Sequence, residues 1–228
     1  MYEGKKYLAV VPARGGSKGI PRKNIALLNG KPLIVYTILS ALKSSYIDKV
    51  VVSTDDDEIA DISKSYGADV VIRPKDIALD ESVVIHTLLH VVSIIDEDFD
   101  SVVLLQPTSP LRKSYHINEA IELYASKGCL SLASVIPVRD HPLFIRKLAD
   151  NTNLAPLIDK SSSILRQNLE KYYFVNGAIY INSIKMLNSF TSLNDNQIGY
   201  VMEQRFGIDV NEAHDLQIAA SLLSLCDS

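Results

Sequence analysis

The stretch Tyr7-Leu-Ala-Val-Val-Pro-Ala-Arg-Gly-Gly-Ser-Lys-Gly-Ile-Pro-Arg-Lys-Asn24 joins a short apolar run to a loop rich in glycine and basic residues. The apolar part, Tyr7 to Val11, is typical of a strand buried on both faces of a sheet. Similar runs recur at 49–53, 69–72, 101–105, 130–135 and 178–181, and helical periodicity is found at 33–42, 58–66, 83–94, 116–125 and 212–225. This alternation predicts an α/β fold with a doubly wound, mostly parallel sheet.

The loops at the carboxyl ends of the predicted strands are the candidate positions for a binding site. Ligands of doubly wound sheets bind at that edge, because the parallel strands all end there. The loops in question follow Val11, Ser53, Ile72 and Leu105.

The segment 139–175 breaks the alternation of strands and helices. It carries prolines, a serine run and the aromatic residues Tyr172 to Phe174. We interpret it as an arm that projects from a single domain spanning residues 1–228 and forms an interface, since aromatic residues are enriched in interfaces. The alternative is a loop that folds over its own domain.

Composition limits the classes of function. The chain has 228 residues, of which 47% are hydrophobic and 22% charged, with a formal net charge of −4. These values predict a soluble globular protein that binds neither nucleic acid nor membranes as a whole. The two cysteines, Cys129 and Cys226, have no spacing typical of a disulfide framework or zinc ribbon. No apolar segment is long enough for a signal peptide or a membrane helix, so a cytoplasmic location is expected.

The loop after the first strand, residues 12–24, carries four cations and no acidic residue. Its glycines let the backbone turn and bring N–H groups close to a ligand. Cations combined with free amides suit a polyphosphate. The spacing matches neither the Gly-x-Gly-x-x-Gly dinucleotide fingerprint nor a Walker A loop. A mobile basic surface loop is the alternative interpretation.

The segment Ala13 to Asn24 also resembles the signature of the acylneuraminate cytidylyltransferases, the family that includes the CMP-sialic acid synthetases. The resemblance continues in the family's order over nearly the whole chain, through Val52-Ser-Thr-Asp55, Arg73-Pro74, Leu105-Gln-Pro-Thr-Ser-Pro-Leu-Arg112, Asn176-Gly-Ala-Ile-Tyr180 and Gly207-Ile-Asp209. It implies a Rossmann-like nucleotidyltransferase fold. It also implies transfer of CMP from CTP to the anomeric hydroxyl of a nonulosonic acid, with release of pyrophosphate.

The resemblance assigns residues to the nucleotide. Those implied to bind it are Ala13, Arg14, Gly15, Lys18, Lys23, Asn24, Arg73, Ser82 and Gln106. Arg14, Lys18 and Lys23 would contact the triphosphate, with Lys23 near the phosphates undergoing substitution. The amide of Gln106 both donates and accepts, so it suits the edge of a cytosine base. The implied catalytic residues are Arg14, Lys23 and Asp209.

The resemblance also implies a divalent cation, Mg²⁺ or Mn²⁺, because phosphoryl transfer requires charge neutralisation. Asp209 is the best candidate ligand, since hard cations prefer carboxylate oxygens. Family members usually carry Asp-x-Asp here, whereas this chain has Asn211 at the second position. Asn211 can coordinate through its carbonyl oxygen but brings no charge. Glu212 or Asp215 could compensate, although Asp215 also fits an ordinary helix position.

The sugar site is implied at Gln106, Arg166, Gln167, Asn176, Ala178 and Tyr180. An arginine fork at Arg166 suits the sugar carboxylate. Two positions where sialic acid enzymes are typically cationic are Phe144 and Phe174 in this chain. We therefore expect a sugar less polar than sialic acid, such as legionaminic acid; neutral drift in the arm is the alternative.

Further expectations concern assembly and competing functions. Members of the family are dimers, so a homodimer in which the arm reaches the neighbouring site is expected. One alternative is a related nucleotidyltransferase that acts on Kdo or uses another nucleotide. The other is a nucleotide-binding regulatory module that has lost catalysis, an interpretation favoured by Asn211 and opposed by the basic loop.

Overall fold

The computed structural model describes residues 1–74, 83–159, 167 and 169–226. Its strands are β1 (Tyr7–Pro12), β2 (Leu27–Leu28), β3 (Lys31–Pro32), β4 (Lys49–Thr54), β5 (Asp69–Ile72), β6 (Ser101–Leu104), β7 (Ser131–Pro137), β8 (Arg146–Leu148), β9 (Leu154–Pro156), β10 (Tyr173–Ser183) and β11 (Ile198–Val201). Its α-helices are α1 (Leu33–Leu42), α2 (Asp57–Ser65), α3 (Val84–Ile94), α4 (Ser114–Ser126) and α5 (Ala213–Cys226).

A seven-stranded sheet in the order β11-β7-β10-β6-β1-β4-β5 forms the centre of the fold. Strand β1 pairs in parallel with β4 and β6, β4 with β5, and β7 with β11. Strand β10 runs antiparallel to both of its neighbours, β6 and β7. The sheet is therefore mostly parallel, as the sequence predicts.

Helices cover both faces of this sheet, which confirms the doubly wound arrangement. Strand β1 shows the two faces directly, because its residues alternate between two cores. Ala9 and Val11 pack in the core that includes residues of α1, α4 and α5. Leu8 and Val10 pack in the opposite core, which includes residues of α3.

Most predicted elements are confirmed with small shifts at their ends, and two differences matter. The short edge strand β11 was not predicted, because Ile198-Gly-Tyr-Val201 is only four residues long and contains a glycine. Strand β10 begins at Tyr173, before the predicted 178–181. Part of the aromatic cluster assigned to the arm therefore belongs to the central sheet.

The described part of the arm, residues 139–175, adds no further β-α unit. Strands β8 and β9 pair with each other in an antiparallel hairpin, with Leu148 opposite Leu154. Both leucines are largely exposed, at 62% and 67%. The arm thus presents apolar side chains to its surroundings.

Within the described ranges, no helix combines the length and the apolar character needed to cross a bilayer.

Candidate functional site

A cavity of about 620 Å³ lies at the carboxyl ends of β1, β5 and β6, at the edge of the sheet that the sequence predicts. Eight residues predicted to bind nucleotide or metal line it: Arg14, Lys18, Lys23, Asn24, Arg73, Gln106, Asp209 and Asn211. We call this space the nucleotide cavity. Side chains that are up to 197 positions apart in the numbering, from Arg14 to Asn211, meet there.

The loop after β1 is held by its backbone and by Asn24. The N–H of Ala13 donates to the carbonyl of Ser53 at 2.9 Å. The N–H of Gly15 donates to Oδ1 of Asp55 at 3.0 Å. The amide of Asn24 donates to the carbonyl of Arg14 at 2.9 Å. Ala13 and Gly15 therefore anchor the loop and are not among the residues that line the cavity.

One cation of the loop is engaged elsewhere. The guanidinium of Arg22 donates to both carboxylate oxygens of Asp56 at 2.8 and 2.9 Å and lies 3.0 Å from Glu58. Asp56 also caps α2, since its Oδ1 accepts the N–H of Ile59. The charge of Arg22 is therefore used in an ion pair at the start of this helix.

Lys23, Asn211 and Asp209 form a chain of contacts on the cavity wall. Nζ of Lys23 donates to Oδ1 of Asn211 at 3.0 Å. The amide nitrogen of Asn211 donates to Oδ2 of Asp209 at 2.7 Å. Burial lowers the pKa of Lys23, an effect opposed by the negative charge of Asp209. Asn211 thus stands between the catalytic lysine and carboxylate that the resemblance implies.

Close backbone packing fixes the segment 209–211 against the loop. A Cβ on Gly19 would lie 2.3 Å from the backbone oxygen of Asn211, so only glycine fits there. The N–H of Val210 donates to the carbonyl of Thr108 at 2.8 Å. Three separate segments of the chain therefore form one continuous wall.

Arg73 lines the cavity but is tied to the protein. Its guanidinium donates to Oγ1 of Thr87 at 3.0 Å and to the carbonyl of Ser53 at 3.2 Å. Burial lowers its pKa, and Asp55 opposes that change. Thr87 is a lining residue that the sequence did not reveal, because a threonine inside an apolar helix gives no signal of binding.

Gln106 stands at the boundary of a second cavity of about 420 Å³, which Tyr180 also lines. The hydroxyl of Tyr180 donates to Oδ1 of Asn194 at 2.8 Å. A Cβ on Gly177, whose φ is +73°, would lie 2.8 Å from Oε1 of Gln106. Gly177 is therefore needed both for its backbone conformation and to leave room for Gln106.

Several predicted sugar contacts are not supported by the positions of the side chains. Asn176 is 3% exposed, and its side chain is bonded to Ser134 and Met202. Ala178 is fully buried in the core. Both shape the strand from within and line neither cavity, because their side chains point into packed regions of β10.

Three other predicted residues lie away from the cavities or outside the described structure. Gln167 is exposed and lines neither cavity. Ser82 and Arg166 lie outside the described residues. Their predicted contacts with nucleotide and sugar stay predictions.

The oxygen atoms on the cavity wall have the chemistry that a hard cation requires. Asp209 supplies a carboxylate and Asn211 a carbonyl oxygen. Among the described residues, no group of three or more His, Cys, Asp or Glu is arranged to hold a metal. A cation here would therefore need phosphate oxygens in addition. Asp215 accepts the N–H groups of Asn211 and Glu212 at 2.9 and 2.8 Å, which matches its interpretation as a helix residue.

Known proteins share this architecture and much of this sequence. The N-acylneuraminate cytidylyltransferase of Escherichia coli O18:K1:H7 is 34% identical over 218 residues, covering 95% of this chain and 52% of the relative. The chain thus spans about half the length of that protein. The CMP-N,N'-diacetyllegionaminic acid synthase of Legionella pneumophila is 44% identical over 192 residues, covering 80% of each chain.

A solved structure and a family model also match this chain. CMP:2-keto-3-deoxy-manno-octonic acid synthetase complexed with CTP has a TM-score of 0.75 over 96% of this chain and 99% of that chain. At 16% identity, this likeness establishes the fold. The cytidylyltransferase family model matches residues 8–213, which is most of the chain. The chain belongs to the cytidylyltransferase family.

Proposed function

We propose that the protein transfers CMP from CTP to the anomeric hydroxyl of a nonulosonic acid and releases pyrophosphate. The convergence of the basic loop and Asp209 on one cavity at the carboxyl edge of the sheet carries this proposal. The names of the two sequence relatives support it, since both describe cytidylyl transfer or CMP-sugar synthesis.

The nucleotide cavity offers separate partners for the two ends of CTP. Arg14, Lys18 and Lys23 supply positive charge to the triphosphate. Gln106 supplies an amide that both donates and accepts, which suits the edge of cytosine. Asn24 acts indirectly, because its bond to the carbonyl of Arg14 holds the loop.

The reaction requires alignment and charge neutralisation. The anomeric oxygen attacks the α-phosphorus, the bond from that phosphorus to the bridging oxygen breaks, and pyrophosphate leaves with the electron pair. The hydroxyl proton is released as the new P–O bond forms. Lys23 and Arg14 stabilise the charge that develops on the phosphate oxygens.

A divalent cation, Mg²⁺ or Mn²⁺, would complete this charge neutralisation when bound. Asp209 and Asn211 are the residues that would hold it. Because Asn211 carries no charge and already bonds Lys23 and Asp209, we infer that the protein contributes little charge and that CTP brings most of the ligands.

The sugar that we propose is of the legionaminic type, less polar than sialic acid. Phe144 and Phe174 are exposed, at 47% and 62%, and offer apolar contacts. The higher identity to the diacetyllegionaminic acid synthase, 44% against 34%, supports the same choice.

A homodimer and a cytoplasmic site of reaction complete the proposal. Leu148 and Leu154 face each other across the β8–β9 hairpin and are exposed. Exposed apolar surface of this kind is typical of an interface. The supply of CTP in the cytoplasm favours that compartment.

The test is product formation by the purified full chain. It is incubated with each of the four nucleoside triphosphates, Mg²⁺, and either a legionaminic-type sugar, sialic acid or Kdo, and the CMP-sugar and pyrophosphate are quantified. We expect CTP to be required and the legionaminic-type sugar to be preferred. Binding of CTP without any CMP-sugar would instead indicate a regulatory nucleotide-binding module.

A further inference from the structure

A further cleft, of about 700 Å³, is separate from the two cavities described above and shares no lining residue with the nucleotide cavity. Five cations line it: Lys31, Lys43, Arg112, Lys113 and Arg205. None of its lining residues, all of which the structure describes, carries a carboxylate. In a chain with a net charge of −4, this is a marked local concentration of positive charge. We call it the basic cleft.

Arg112 is the most unusual of these cations, because it is only 1% exposed. Its Nη1 donates to the carbonyl of Ala178 at 2.8 Å and to that of Gln106 at 3.2 Å. Its Nε and Nη2 have no hydrogen-bond partner among the described residues. These two nitrogens are enclosed by the fold, so Arg112 contributes its positive charge to the cleft and not a hydrogen-bond donor that a ligand could reach.

The charge of Arg112 persists under ordinary conditions. Burial lowers its pKa to about 9, which leaves the guanidinium protonated at neutral pH. The neighbouring His116 is neutral, because burial and the charge of Arg112 lower its pKa to about 4. Its Nδ1 accordingly accepts the N–H of Lys113 at 3.1 Å. The imidazole thus holds the start of the helix without adding charge.

The position of α4 adds to the positive potential. This helix begins at Ser114, and Ser114 and Tyr115 of its first turn line the basic cleft. The N-terminus of a helix carries partial positive charge and favours phosphate groups. Glu203 lies outside the lining and pairs with Arg205 at 3.0 Å, so it offsets one cation of the five.

The remaining wall of the basic cleft is apolar. Phe206, Leu39 and Leu223 line it, and the guanidinium carbon of Arg205 lies 4.7 Å from the centre of the Phe206 ring. A bare inorganic anion would leave these side chains without a partner. A ligand that joins an anionic group to an apolar or ring-shaped group matches both walls.

We propose that the basic cleft is a second ligand site, separate from the nucleotide cavity, that binds a small organic phosphate ester. The phosphate lies against Lys43, Lys113 and the start of α4, with the charge of Arg112 beneath it, and the organic part lies against Phe206 and Leu39.

The experiment uses phenyl phosphate and inorganic phosphate as probes in calorimetric titrations of the full chain. The background variant Arg14→Ala/Lys23→Ala weakens phosphate binding in the nucleotide cavity. In that background we expect one phenyl phosphate per chain. Adding Lys43→Ala/Lys113→Ala should weaken it about tenfold or more, because hydrogen bonds to charged groups contribute that much. Adding Lys64→Ala/Lys127→Ala, which removes two exposed lysines that do not line the cleft, should change nothing.

Three results would overturn the proposal. The first is no binding of phenyl phosphate in the background variant. The second is equal affinity with and without Lys43 and Lys113 in variants whose circular dichroism melting curves match. The third is binding of inorganic phosphate as tight as that of phenyl phosphate, which would show that the apolar wall contributes nothing to binding.

Discussion

The basic loop, residues 13–24, and the arm, residues 139–175, are held in contrasting ways. The loop is fixed by hydrogen bonds to Ser53 and Asp55 and by the close approach of Gly19 to Asn211. The arm is built around a short hairpin whose strands pair with each other and whose leucines are exposed. This difference indicates that the chain preorganises the loop through its own contacts, whereas the described part of the arm exposes apolar side chains.

The largest effect is expected at Lys23. Lys23→Ala removes the charge that we propose stabilises the transferring phosphate, so kcat should fall roughly 10²–10³-fold. Arg22→Ala in the same loop is the matched control, because Arg22 is paired with Asp56 and Glu58. Steady-state kinetics with CTP measures both. Equal losses in the two variants would show that the loop acts only through its general charge.

The packing of the loop is tested by a pair of glycines. Gly19→Ala places a Cβ 2.3 Å from the backbone oxygen of Asn211 and should cost about 1–3 kcal/mol in CTP binding or stability. Gly16→Ala is the control, since nothing lies within 4 Å of its Cβ. Thermal melting and the KM for CTP report the difference. Similar behaviour of both variants would contradict a preorganised loop.

The sequence predicted the central sheet well because buried parallel strands leave continuous apolar runs such as Tyr7 to Val11. It also placed the basic loop correctly, since glycines and cations after a first strand are a local signal. Asn176 and Ala178 belong to the motif Asn176 to Tyr180, but their side chains are buried in the fold. The pairing register of β10 shifts between Val175 and Tyr180, so simple alternation does not hold there, and a short motif does not show which of its side chains are buried.

Other parts of the site left no signal that a single sequence could provide. Arg112 is buried and donates to the carbonyls of Gln106 and Ala178. Thr87 contacts Arg73 from within an apolar helix. Such contacts depend on the packing of segments that are distant in the chain, and local patterns do not record that packing.

Gly177 tests how strictly Gln106 is placed between the two cavities. Gly177→Ala imposes a φ of +73° on alanine and brings its Cβ to 2.8 Å from Gln106. We expect the KM for CTP to rise about tenfold, because the strained backbone and the displaced side chain of Gln106 both weaken CTP binding. Gly128→Ala has a comparable φ of +55° but open space around the Cβ. If both variants bind CTP equally well, Gln106 does not read the base.

A smaller change is expected at the cation site. Asn211→Asp adds a second carboxylate beside Asp209. It replaces the amide nitrogen that now lies 2.7 Å from Oδ2 of Asp209. Because ligand charge tunes the affinity for divalent ions, half-maximal activity should need about threefold to tenfold less Mg²⁺. Binding of Mn²⁺ measured by electron paramagnetic resonance gives an independent reading. Unchanged Mn²⁺ affinity together with lost activity would move the cation away from residues 209–211.

The smallest effect belongs to the exposed arm. Phe144→Lys/Phe174→Arg restores the cations typical of sialic acid enzymes, so the ratio of kcat/KM for sialic acid to that for a legionaminic-type sugar should rise. An exposed ion pair contributes about 1 kcal/mol at most, so we expect a change of about fivefold or less. Leu148→Lys, on strand β8 of the arm, is the control for added charge alone. The basic loop is the same in the unchanged protein and in both arm variants, so the KM for CTP should stay constant. If the KM for CTP shifts together with the sugar preference, the arm and the loop do not act as separate parts.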